Sequence, residues 1–91
     1  MKTAIYEVET LAEARKYLAQ INEKVILSNP QGSTKYYGIR VIDYIFKKLQ
    51  DEFPSKIERI IVDVYDDYSA FITAKELGYE TIKYEKCDDA A

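Results

Sequence analysis

Lys56-Ile57-Glu58-Arg59-Ile60-Ile61-Val62-Asp63-Val64-Tyr65-Asp66-Asp67 is the stretch that decides the fold. It is rich in β-branched residues, which suit a pleated, buried surface. Its two alternating sets are Ile57/Arg59/Ile61/Asp63/Tyr65 and Glu58/Ile60/Val62/Val64/Asp66, and both are apolar in the middle. A strand that is apolar on both faces belongs inside a sheet. This one also carries three carboxylates, Asp63, Asp66 and Asp67, toward its carboxyl end.

The flanking segments read as helices. Upstream, Val41, Ile42, Ile45, Phe46, Leu49 and Phe53 form a wide apolar stripe. It predicts one well-buried helix from Thr34 or Lys35 to Phe53, stopped by Pro54 and Ser55. Downstream, Asp66 or Asp67 can cap a helix in which Phe71, Ala74 and Leu77 share a face. Gly78 is placed to end that helix in a left-handed conformation.

Closer to the start, Lys24-Val25-Ile26-Leu27-Ser28 reads as a second buried strand, closed by the turn residues Asn29-Pro30-Gln31-Gly32-Ser33. Thr10 and Glu13 have the spacing of a capping box. They open a helix from about Leu11 to Asn22, with Leu11, Ala14, Leu18 and Ile21 on one side. Ala4–Glu9 and Thr81–Glu85 alternate with one apolar face, as edge strands do. Cys87-Asp88-Asp89-Ala90-Ala91 reads as a frayed tail.

The fold class is therefore α/β. Residues 1–86 form a single domain, β-α-β-α-β-α-β, with a four-stranded mainly parallel sheet and three helices. A 1-2-3-4 strand order puts all three helices on one face. The other face then carries Ile5, Ile26 or Leu27, and residues of the third strand, without cover. A homodimer burying that face is the expectation, because a chain this short gains little core of its own.

The formal charge is −3 with the acids spread along the chain, and Lys47-Lys48 is the one basic doublet in its middle. Without a basic patch, nucleic acid is not an expected partner. No apolar run approaches the roughly 20 residues of a membrane helix, and Met1–Glu7 lacks the apolar core of a signal peptide. The single cysteine allows no internal disulfide. A cytoplasmic protein fits all three observations. The absence of histidine excludes His-based triads and His-ligated zinc. No catalytic residue, metal ligand or cofactor is assigned.

In open parallel sheets, ligands sit outside the carboxyl ends of the strands. Two loops lie there. Ser28–Thr34 offers Gly32 and the hydroxyls of Ser28, Ser33 and Thr34, with Asn29, before a helix N-terminus that could hold an anion. It matches neither G-x-G-x-x-G nor G-x-x-x-x-G-K-[ST], and a plain strand-to-helix turn explains it as well. In Tyr65–Ser69, Asp66 and Asp67 could hold Mg²⁺ with phosphate, or one of them could simply cap a helix. Asp63 and Asp66 fall on opposite faces of a regular strand. The ligand-binding candidates are thus Ser28, Asn29, Gly32, Ser33, Thr34, Asp66 and Asp67. Nine tyrosines are many for 91 residues, and Tyr36, Tyr37, Tyr65 and Tyr68 flank these loops, as a binding surface or as core margin.

Ile26-Leu27-Ser28-Asn29-Pro30, Tyr37-Gly38, Val62-Asp63-Val64-Tyr65-Asp66-Asp67 and Ala74-Lys75-Glu76-Leu77-Gly78 resemble a group of small uncharacterised proteins of alphaproteobacteria. That group has a Leu-Ser-Pro-type strand end, a Tyr-Ala-Gly-type helix start, an Asp-Cys-Gly-Asp-type strand end and an Ala-Leu-x-x-Gly helix end. Val64-Tyr65 stands here in place of Cys-Gly. The resemblance implies a fold and no activity. The function expected is a small non-catalytic cytoplasmic binding or regulatory module with a protein partner. One alternative is a Mg-dependent phosphate-handling enzyme built on the strand-end carboxylates. Another is a STAS-like phospho-switched partner protein using Ser28, Ser33 or Ser69, an analogy of fold alone.

Overall fold

The computed structural model describes residues 3–85. Its elements are β1 (Ile5–Glu7), α1 (Leu11–Gln20), β2 (Val25–Ser28), α2 (Ser33–Tyr37), α3 (Ile39–Glu52), β3 (Ile57–Tyr65), α4 (Tyr68–Glu76) and β4 (Thr81–Tyr84). The strands lie in the order β1-β2-β3-β4 and every neighbouring pair is parallel. The α/β class and the four-stranded sheet match the sequence reading. The tail expected at Cys87–Ala91 and the domain limit at residue 86 lie outside the described residues.

Four helices are present where the sequence reading expected three. The segment taken as one helix breaks at Gly38, whose φ of 86° and ψ of 146° lie far from helical values. Its N–H still bonds the Thr34 carbonyl at 2.9 Å and closes α2. Hydrophobic periodicity misses such a break because only the backbone of one residue turns. Burial is also narrower than the apolar stripe suggested. Ile42, Phe46 and Leu49 are buried, but Val41 is 47% exposed. Val41 sits with Tyr44 on the outward side of α3, one position off the core-facing repeat.

The register separates the two faces of the sheet. Tyr6, Leu27 and Ile60 share a row, as do Val62 and Ile82. These residues pack on Ala14, Leu18, Phe46, Leu49, Ala70 and Ala74 from the helices. Because α3 touches both α1 and α4, the helices form one layer on this face. Ile5, Ile26 and Arg59 form a row on the other face. Leu27 is therefore a core residue. Ile26 lies on the side away from the helices, yet only 6% of it is exposed.

Thr10 opens α1 as expected, accepting the Glu13 N–H at 3.1 Å. Tyr79, in the turn after α4, ties that turn to α3 by donating its hydroxyl to Asp43 Oδ1 at 2.6 Å. Burial, reinforced by the Asp43 carboxylate, pushes the Tyr79 phenol far above its ordinary value.

Two outcomes follow. Gly38→Ala should cost about 1–3 kcal/mol, read from denaturant unfolding, because its backbone region is almost closed to residues with a Cβ. An added Cβ there meets nothing within 4 Å, so no steric clash adds to that loss. A phenol whose pKa is raised on folding stabilises fully below its unfolded value near ~10, and that contribution fades as pH rises above it. Unfolding midpoints at pH 8 and pH 11 should therefore differ more in the native chain than in Tyr79→Phe.

Candidate functional site at the carboxyl edge of the sheet

Asn29 is the centre of this edge. It is 2% exposed and sits just beyond β2. Its Nδ2 donates to Ser33 Oγ at 2.7 Å and to the Asp63 carbonyl at 2.8 Å. Its Oδ1 accepts the Asp63 N–H at 2.8 Å. The side-chain amide thus presents a donor and an acceptor to one residue of β3, as a neighbouring backbone would, and continues the β2–β3 ladder past the end of β2. The same amide fixes Ser33 at the start of α2, so one side chain joins two strands and a helix.

β3 is irregular where it ends. The register to β4 shifts between Asp63 and Tyr65. Tyr65 has φ +52°, a left-handed conformation uncommon for a side chain of its size. Asp63 Oδ1 accepts the Tyr65 N–H at 2.9 Å and supports this turn. The period-two placement of Asp63 and Asp66 therefore does not hold, because it assumed a regular strand.

The carboxylates do not converge. Asp67 caps α4, with Oδ1 accepting the Ala70 N–H at 3.1 Å and the Ser69 hydroxyl at 3.2 Å. Its Oδ2 accepts the Thr34 hydroxyl at 3.2 Å. Asp66 turns instead toward α2, where Lys35 Nζ lies 2.6 Å from Oδ1. No other donor reaches that solvent-excluded oxygen among the described residues. The close Asp66 carboxylate raises the Lys35 pKa. No group of three or more acidic or cysteine side chains is spaced to hold a metal ion among the described residues.

The structure thus bonds Asn29 to Ser33 and Thr34 to Asp67, two pairs joined through the adjacent Ser33 and Thr34 at the start of α2, with Ser28 next to Asn29 in the chain. Gly32, at φ +85°, shapes the turn into α2, and Asp66 is drawn aside to Lys35. The anion reading loses its footing for two reasons. α2 has only five residues, and the Ser33 N–H is already bonded to the Pro30 carbonyl at 3.0 Å. Of the proposed switch serines, Ser28 and Ser33 are buried and Ser69 is exposed but bonded to Asp67.

Sequence reasoning reached part of another feature, naming Tyr36 and Tyr37 as binding surface or core margin but not Val41 or Tyr44. Tyr36, Tyr37, Val41 and Tyr44 stand exposed on α2 and α3. The signal was Tyr36-Tyr37 followed by Gly38, but counting Val41 as core concealed it. The Asn29 amide carries a direct stability consequence. Asn29→Ala strands the buried N–H and C=O of Asp63 and should cost about 2–4 kcal/mol. Asp67→Ala removes a half-buried cap and should cost about 1 kcal/mol. Urea unfolding of the two variants checks this order.

No family model matches the chain, and no solved structure matches it. Its sequence is 48% identical over 80 residues to the uncharacterised protein RP547 of Rickettsia prowazekii, an alignment spanning 88% of this chain and 76% of that protein. The resemblance to small uncharacterised alphaproteobacterial proteins read from the strand and helix ends is thereby supported over 80 residues. The chain belongs to the same family as RP547 of Rickettsia prowazekii.

Proposed function

We propose that this protein is a non-catalytic binding module of the bacterial cytoplasm, homodimeric, which engages a protein partner through the outward face of α2 and α3. The observation that carries the reading is the run of exposed aromatic and apolar side chains on α2 and α3. Tyr36 is 87% exposed, Tyr37 60% and Tyr44 57%, and with Val41 they fall within nine consecutive residues. Tyrosine brings large contact area at low entropic cost and is enriched where proteins meet. Arg40 is exposed along the same segment, whereas Lys35 and Lys47 are paired with Asp66 and Asp43.

A five-residue helix cannot hold its own shape in water. α2 is held by glycines with positive φ at both ends, by Thr34 to Asp67 and by Lys35 to Asp66. These contacts use the Asp66 and Asp67 carboxylates that the phosphate-handling reading would need free. They also fix the tyrosines in one presentation, which lowers the ordering cost of binding. The cytoplasmic placement is supported by the single cysteine and by the lack, among the described residues, of a helix long and apolar enough to cross a membrane.

A photo-crosslinking residue at position 36, 37 or 44, expressed in bacterial cells, should trap one common protein. The same residue at exposed Lys16 or Glu76 should not trap it. Equal trapping at all five positions, or none at the three tyrosines, would overturn the reading.

A further inference from the structure

We propose that the amino edge of the sheet holds a pocket for a free α-amino acid with a short aliphatic side chain, gripped at its two charges by Arg59 and Glu80. This goes beyond the partner surface on α2 and α3. In open parallel sheets ligands usually sit beyond the carboxyl ends of the strands, but here the Asn29 network uses the polar groups of that edge. At the opposite edge a cavity of about 320 Å³ opens between the end of α3, the start of β3 and the turn from α4 into β4. Ligand pockets span roughly 300–1,000 Å³, so this one suits a small molecule.

The strand register makes the space. β3 starts at Ile57, but its first partner on β4 is Thr81, opposite Ile61, so Arg59 and Ile60 lie ahead of β4. The turn beside them is pinned. Gly78, at φ +98°, reverses the chain after α4, and the Tyr79 hydroxyl donates to Asp43 of α3 at 2.6 Å. Lys47 Nζ lies 2.7 Å from the same carboxylate oxygen and 5.5 Å from the centre of the Tyr79 ring. The wall is therefore set before any ligand arrives, which lowers the ordering cost of binding.

The charges decide what fits. Lys47 lines the cavity but is committed to Asp43. Arg59 and Glu80 also line it and are exposed, and no ion pair joins either to the other or to another described residue. The cavity thus offers one uncommitted cation and one uncommitted anion. A polyphosphate finds a single free cation there and is repelled by Glu80. A molecule with carboxylate and ammonium on one carbon satisfies both groups. The Arg59 guanidinium gives the carboxylate two parallel N–H···O bonds, and the Glu80 carboxylate accepts from the ammonium. Ile60, which is buried, and half-buried Leu77 add apolar surface for a short hydrocarbon side chain.

Amide NMR spectra of the full chain, titrated with L-leucine, test this. Shifts should centre on residues 59 and 78–81 and saturate with a midpoint on the order of 1 mM. N-acetyl-leucine lacks the ammonium and leucinamide lacks the carboxylate, and each should bind about tenfold more weakly. Arg59→Gln and Glu80→Gln should each weaken leucine by about the same factor, the loss of one charge-assisted contact. Arg59→Gln should leave leucinamide binding unchanged, and Glu80→Gln should leave N-acetyl-leucine binding unchanged. A damaged fold would weaken all three ligands together. The absence of saturable shifts up to about 40 mM leucine, forty times the expected midpoint, overturns the pocket. Equal binding of leucine and its blocked analogues, or variants that do not separate the two analogues, also overturns it. None of these outcomes touches the trapping expected at positions 36, 37 and 44.

Discussion

The Asn29 amide holds the carboxyl edge of this protein together. β2 spans four residues and β3 nine, so β3 runs on past its neighbour. Backbone groups of Asp63 left unpaired in that buried region would be costly. Asn29 answers both of them with one planar group and reaches Ser33 as well. The position of α2, the turn at Tyr65 and the cap of α4 all meet at this point. A buried polar network of this kind specifies one arrangement only when every member is satisfied, and for the Asn29 amide that condition is met.

This geometry explains why residues that look chemical in sequence act as architecture. Aspartate, asparagine, serine and threonine at strand and helix ends are what phosphate and metal sites use, and also what turns and caps use. Partners separate the two cases. Asp67 is used by Thr34, Ser69 and Ala70, Asp66 by Lys35, and Asp63 by Tyr65. Each carboxylate points along a different direction of the backbone rather than toward a shared space. What these bonds accomplish is the fixing of α2, a helix too short to persist unaided, with its tyrosines outward.

The sheet poses the second constraint. Its simple strand order places α1, α3 and α4 together, and the core lies entirely between that layer and one sheet face. Among the described residues no helix packs on the second face, yet Ile26, Ser28 and Asp63 on it are buried, and the charged residues Glu7, Arg59 and Lys83 are exposed around them.

The sequence by itself determined the α/β class, the four strands, the buried place of β3 and the cap at Thr10. These follow from local periodicity and short-range capping, which a linear chain displays directly. Only the tertiary structure decided the break at Gly38, the exposure of Val41, the irregular end of β3 and the role of Asn29. A glycine's φ has no hydrophobic signature, and one position on a helix separates core from surface. Asn29 and Asp63 are 34 residues apart. No local pattern announces that they meet, and that meeting turns a candidate ligand residue into the tie between strand, strand and helix.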